Sequence, residues 1–122
     1  MKEFEIWVAD IATFIGDRMK AGVRPVIIVD AEADKVEDKM VTVVPCTTNL
    51  RFPQRPTHVL LQGQGLEEDS RVLCERIMTV DKRILQYRIG EVWRPYDRYA
   101  IRHALAVHMG LHMGLQEDGV WT

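Results

Sequence analysis

The apolar positions fall in short runs whose period changes along the chain. Phe4, Ile6 and Val8 alternate with Glu5 and Trp7, and Ile11 extends the series. Alternation of this kind marks a half-buried strand. Residues 13–22 carry Gly16, Asp17, Arg18, Lys20 and Gly22, a glycine-punctuated, charged stretch that reads as a loop. Val26-Ile27-Ile28-Val29 is unbroken and largely β-branched, as in a central strand covered on both faces. An acidic connector over 31–39 leads to another β-branched strand at 40–44. Pro45 follows, and the loss of a ladder donor there is expected to end or bulge that strand. Residues 50–56, with two prolines and two arginines, read as an exposed loop. Then come a short strand at 57–61, a turn at Gln62-Gly63-Gln64-Gly65, and a longer strand over 71–79. Asp81-Lys82-Arg83 can start a helical turn, and 86–92 suits a last strand.

Beyond residue 95 the period becomes helical. Ile101, Leu105, His108, Met109 and His112 recur three and four apart. Pro95 suits the first helical position and Asp97 the positive end of the helix dipole. Gly110 and Gly114 weaken the far end, and 118–122 reads as a frayed terminus unless Trp121 docks. Short strands separated by turns, then one helix, predict a mainly β fold: a small antiparallel β-barrel with a C-terminal α-helix. No repeat, low-complexity segment or long linker divides the chain. The expectation is one domain over 1–122.

Composition narrows the function classes. Hydrophobic residues make up 47% of 122, enough for a packed core. The net charge of −2 argues against a strongly cationic nucleic-acid coat. A local basic groove stays open, since Arg18, Arg24, Arg51, Arg55 and Arg71 could converge. Cys46 and Cys74 both lie in apolar runs and read as buried free thiols. The N-terminus has no apolar signal core, and no window approaches the ~18 apolar residues of a membrane span. The chain is therefore expected to be soluble and cytoplasmic.

Arg24-Pro25 stands out among candidate sites. The arginine could pair with Asp30 or Glu5 at a strand entrance. A guanidinium fixed by a proline and a buried strand could equally be a pre-aimed phosphate clamp. Thr47 and Thr48 at a strand exit are ordinarily backbone caps, but their hydroxyls could meet a phosphate whose other contacts are freed amides. His58 either packs on its strand or takes part in proton transfer. His108 and His112 have the four-residue spacing of metal ligands, yet no third ligand is evident. Together with Met109 and Met113 they read as a helix-surface pair beside an apolar face. Glu67-Glu68-Asp69, three consecutive acids, reads as a solvated turn. There is no Walker loop, dinucleotide fingerprint, paired-cysteine motif or nucleophile elbow. Neither a metal nor a cofactor is expected.

Four blocks occur in order: Gly22-Val23-Arg24-Pro25-Val26-Ile27-Ile28-Val29, Val43-Val44-Pro45-Cys46-Thr47-Thr48-Asn49, Pro56-Thr57-His58-Val59 and Glu75-Arg76-Ile77-Met78-Thr79-Val80-Asp81-Lys82. In this order they resemble the MazF/PemK family of toxin endoribonucleases, over about residues 4–115. The resemblance implies an SH3-like barrel with a C-terminal helix, matching the element order read above. It implies catalytic roles for Arg24 and Thr47, with Thr48 as the second choice and Glu75 at an acidic position. It suggests RNA contacts from Asp17, Arg18, Asn49, Arg51, Phe52, His58 and Arg76. The implied reaction is metal-independent, sequence-specific cleavage of single-stranded RNA by the 2′-hydroxyl. The implied partners are a second copy of the chain and a cognate antitoxin whose acidic, apolar tail would fill the same groove. Arg76 and Met78 stand where many relatives have glutamine and arginine, and Lys20-Ala21-Gly22 lacks the usual glycine pair. These departures bear on RNA sequence preference. An alternative of the same fold is a growth inhibitor that acts by protein contact without cutting RNA.

Overall fold

The computed structural model describes residues 1–15 and 18–111. Seven strands are followed by one helix: β1 Glu5–Ile15, β2 Arg18–Ile28, β3 Met40–Thr47, β4 His58–Leu61, β5 Ser70–Leu73, β6 Met78–Asp81, β7 Leu85–Glu91 and α1 Pro95–Met109. All strand pairs are antiparallel. The order across the sheet is β4-β5-β3-β2-β1-β7, with β6 also on β3. The turn after β4 rests on β7, which brings the two ends of this order together. At that contact a Cβ on Gly65 would meet the Ile89 carbonyl oxygen at 2.3 Å, and one on Gly90 the Gln64 carbonyl oxygen at 2.1 Å. Only glycines allow the two backbones so close. The result is the expected barrel-like, mainly β fold.

Two apolar clusters lie on opposite faces of the central strands. One joins Ile6, Ile27, Val44, Cys46, Leu61 and Val72 to Ile101 and Ala104 of α1. The other gathers Ala9, Ile11, Val26, Ile28, Val41, Val43 and Leu85. Val26, Ile27 and Ile28 are all buried, as a doubly covered strand requires. Cys46 and Cys74 are buried and free. Burial pushes both thiols up, Cys74 to about 12, which keeps them protonated and inert. Pro95 opens α1, and Gly110 closes it in the left-handed conformation at φ 71°. No helix among the described residues is long and apolar enough to cross a membrane.

Three local expectations are corrected. The stretch read as a loop over 13–22 is extended wherever it is described: residues 13–15 end β1 and 18–22 begin β2, paired at Thr13–Lys20 and Ile15–Arg18. The hairpin runs past its neighbours, so residues 18–21 are exposed although extended. Their charge reflects solvent rather than irregular backbone. Pro45 does not end β3, which continues to Thr47. It sits between the stretch of β3 that pairs with β6 and the stretch that pairs with β5, where a missing donor costs least. The longer strand read over 71–79 is two strands broken by a 3-10 turn, Cys74–Arg76. That turn offsets the register to β3 by three residues between β5 and β6. The helical turn read at Asp81-Lys82-Arg83 is present at Lys82–Ile84, capped by the Asp81 side chain. Gly114, His112, Met113 and Trp121 lie outside the described residues.

The loop after Thr47 is anchored from beneath. Arg55 N–H donates to His58 Nδ1 at 3.0 Å, which places the ring proton on Nε2. Nε2 donates in turn to Glu75 Oε1 at 2.9 Å. Thr57 Oγ1 donates to Glu75 Oε2 at 2.7 Å. Burial alone would raise the Glu75 carboxyl, but the hydrogen bonds from Thr57 and His58 outweigh it and hold the group below its ordinary value.

Two outcomes are expected. Gly90→Ala should cost about 1–3 kcal/mol or more in a urea titration, because the new methyl meets backbone that cannot swing away. Glu75 contributes stability above its unfolded value near 4.5, and this is lost as pH falls through the lower folded value. Glu75→Gln should therefore lower the melting temperature at pH 7. It should also flatten the further decline below about pH 4.5, as thermal melts between pH 7 and 3 would record.

Candidate functional site

The site begins with one register. Val26 of β2 lies opposite Pro45 of β3. Continued two residues further, the same alignment sets Arg24 across from Thr47. On the other side of β3, Thr47 lies opposite Arg71 of β5. Opposed residues of an antiparallel pair share a face. Thr47 and Arg71 thus share a face, and Arg24 lines the same depression as Thr47.

Two adjoining depressions meet at Arg24, Pro25 and Thr48. One, about 440 Å³, is walled by Lys20, Ala21, Thr47 and Asn49. The other, about 320 Å³, is walled by Gly65, Glu67, Glu68, Ser70 and Tyr87. Among the described residues Arg24 has no hydrogen-bond or ion-pair partner, and its Nε is buried and unpaired. Burial lowers the guanidinium from its ordinary value. The two acids that could have paired with it are engaged elsewhere. Glu5 accepts from Trp7 Nε1 at 3.0 Å and meets Arg88 at 3.2 Å. Asp30 accepts from the backbone of Glu32 and Thr42. A half-buried cation with no counter-ion is costly to keep and is ready for an anion.

Thr47 is 7% exposed, and its Oγ1 accepts from Asn49 N–H at 3.1 Å. The hydroxyl proton stays available for donation. Asn49 Oδ1 accepts from Arg51 N–H at 3.1 Å, so two successive side-chain turns stiffen the chain leaving β3. Thr48 and Asn49 are exposed on the groove wall.

The remaining sequence candidates are dispersed. Arg18 is exposed near the hairpin tip, and Asp17 lies outside the described residues. Arg51 is exposed and Phe52 half-buried on the loop beyond Asn49. His58 and Glu75 are joined beneath that loop, and both Glu75 oxygens are occupied. Neither lines the Arg24 groove. Arg76 is half-buried on the 3-10 turn. Of the five arginines that could converge, Arg24 and Arg71 flank Thr47, whereas Arg55 turns to Glu75 at 3.9 Å. Lys20 lies in a stretch whose charge and glycines suggest a loop, and nothing in the local sequence marks Ser70 or Tyr87. Read as a strand, residues 18–24 would have placed Arg18, Lys20 and Arg24 on one face by their even spacing. His108 is exposed on α1. Among the described residues no three His, Cys, Asp or Glu side chains gather as a metal ion requires.

Relatives match most of the chain. The model of the PemK-like, MazF-like toxin of type II toxin–antitoxin systems matches residues 2–108. Endoribonuclease EndoA of Bacillus subtilis (strain 168) is 30% identical over 91 residues, covering 73% of this chain and 78% of that protein. Endoribonuclease MazF of Staphylococcus saprophyticus is 26% identical over 114 residues, covering 92% and 93%. Among solved structures, an endoribonuclease in complex with its cognate antitoxin, from Mycobacterial species, matches with a TM-score of 0.73 at 26% identity. That match covers 93% of this chain and 99% of the other. MazF of Deinococcus radiodurans, at 18% identity and a TM-score of 0.72, shares the fold over 91% of this chain and 97% of its own. The matched stretch 2–108 includes all seven strands and all but the last residue of α1. The chain belongs to the PemK-like, MazF-like toxin family of type II toxin–antitoxin systems.

Proposed function

We propose that this protein is an endoribonuclease that cuts single-stranded RNA without a metal ion, by attack of a ribose 2′-hydroxyl on the adjacent phosphate. The observation that carries this reading is the uncompensated guanidinium of Arg24, set across from Thr47 in an open groove. In the reaction the 2′-oxygen bonds to phosphorus as the bond to the 5′-oxygen breaks. The 2′-hydroxyl loses its proton and the departing oxygen gains one. The products are a 2′,3′-cyclic phosphate and a 5′-hydroxyl. Charge builds on the non-bridging oxygens in the transition state, and donors fixed in a desolvated site are worth most there. Arg24 supplies a bidentate fork, and Thr47 the proton of a hydroxyl already held by Asn49. Thr48, where the two depressions meet, would contact the neighbouring phosphate or sugar.

Glu75 and His58 support the loop in this reading rather than exchange protons with substrate, because their polar atoms are already paired. Asp17, Arg18, Asn49, Arg51, Phe52 and Arg76 remain the proposed RNA contacts, and Lys20 joins them. The mycobacterial relative is an endoribonuclease bound to its cognate antitoxin. By the same reading this chain has an antitoxin, whose acidic tail would cover Arg24. A homodimer is proposed as well. Its support is the exposed apolar surface of α1 and its flanks, where Trp93, Tyr96, Tyr99, Met109 and Leu111 are all more than half or half exposed. The domain over 1–122 is taken to act as one unit.

The test is incubation with mixed-sequence single-stranded RNA in EDTA. Wild type should release cyclic-phosphate ends. Arg24→Ala should lower the single-turnover rate by about 10²–10³-fold, and Thr47→Ala by a smaller factor. Absence of cleavage across several RNAs by wild type would overturn the reading in favour of inhibition by protein contact.

A further inference from the structure

Arg71 is a buried cation that the reaction above does not use. It is 7% exposed. Among the described residues it pairs with no carboxylate, and its Nε is buried without an acceptor. Among the described residues its side chain's interactions all go to one residue of the loop. Its Nη1 donates to the Phe52 carbonyl oxygen at 2.7 Å, and its guanidinium carbon lies 4.7 Å from the centre of the Phe52 ring. The same ring meets His58 edge-on at 5.7 Å. His58 is in turn fixed by Arg55 N–H and Glu75. Phe52 is therefore held by its carbonyl, its face and its edge.

A long apolar side chain would fill this space without leaving a buried donor unpaired. By stability alone it would be the better choice, since an isolated buried cation is worse than a hydrophobic side chain of similar volume. What arginine adds is a hydrogen bond and a flat cation directed at Phe52, only five residues beyond Thr47. The intervening chain is stiffened by the Thr47–Asn49 and Asn49–Arg51 side-chain turns. A constraint at Phe52 is thereby passed back to the groove wall.

We infer that Arg71 is a positioning residue: it pins Phe52 so that the segment from Thr47 to Arg51 holds its hydroxyls in place across from Arg24. The inference rests on the endoribonuclease reading for its consequence in catalysis, but the pinning itself does not. The two are separated by measuring both hydrogen exchange and cleavage on the full chain. Arg71→Met keeps the length and removes the fork. Amide exchange at Asn49 and Arg51 should rise at least about tenfold, and the single-turnover rate should fall by about tenfold or more, with KM changed less than about threefold. The melting temperature should hold or rise. Arg71→Lys restores a donor for the Phe52 carbonyl but not the flat contact with the ring, and should recover part of both the protection and the rate. Should Arg71→Met fail to fold, the Arg71→Lys comparison decides alone. Unchanged exchange at Asn49 and Arg51, or faster exchange with wild-type cleavage, would overturn the inference. If wild type cuts no RNA, the nuclease reading fails, and the exchange data still decide whether Arg71 holds the loop.

Discussion

Everything in the groove depends on where β3 stands between its neighbours. On one side Pro45 faces Val26 of β2, and on the other Thr47 faces Arg71 of β5. A slip of one residue in either ladder would turn every side chain of β3 to the opposite face. Thr47 would then enter the core, and the Val43 and Val44 faces would exchange clusters. The two apolar clusters prevent this, because Val44 and Cys46 belong to one and Val41 and Val43 to the other. Core packing, rather than any contact between the candidate residues, sets the positions of Arg24 and Thr47.

Much of this fold was legible because it rests on short-range rules. The buried run at Val26-Ile27-Ile28, the helix opened by Pro95, and the order of strands and turns all follow from local pattern. Three features did not, each for a non-local reason. Residues 18–21 hid a strand because all four are exposed, so no buried face marks a period of two. Pro45 was misjudged because its tolerance depends on the gap between β5 and β6 on the neighbouring edge. The 3-10 turn at Cys74–Arg76 carries no glycine or proline to mark it, so residues 71–79 read as one strand.

The site was legible to a different degree. The Arg24-Pro25 step and Thr47 could be singled out, and the register brings them together. Glu75 and His58 were read as groups that could touch substrate, but the structure joins them to each other. One proton on His58 Nε2 and two hydrogen bonds to Glu75 make them a brace under the loop. A sequence shows that an acid and an imidazole are present. It does not show whether their lone pairs are already engaged. The role of Arg71 is hidden for the same reason, since it is expressed through a backbone carbonyl and a ring far away in sequence.

The Arg24 guanidinium, unpaired among the described residues, also makes the stability of this molecule conditional on its company. A cation desolvated without a counter-ion raises the free energy of the ligand-free fold relative to any form in which an anion shares the groove. Linkage then requires each bound anion, whether a strand of RNA or an acidic protein tail, to stabilise the fold in proportion to the logarithm of its concentration above its dissociation constant. The free protein is accordingly the form most open to unfolding and proteolysis. On the proposed reading, the groove that takes a phosphate also ties the lifetime of the protein to its state of occupancy.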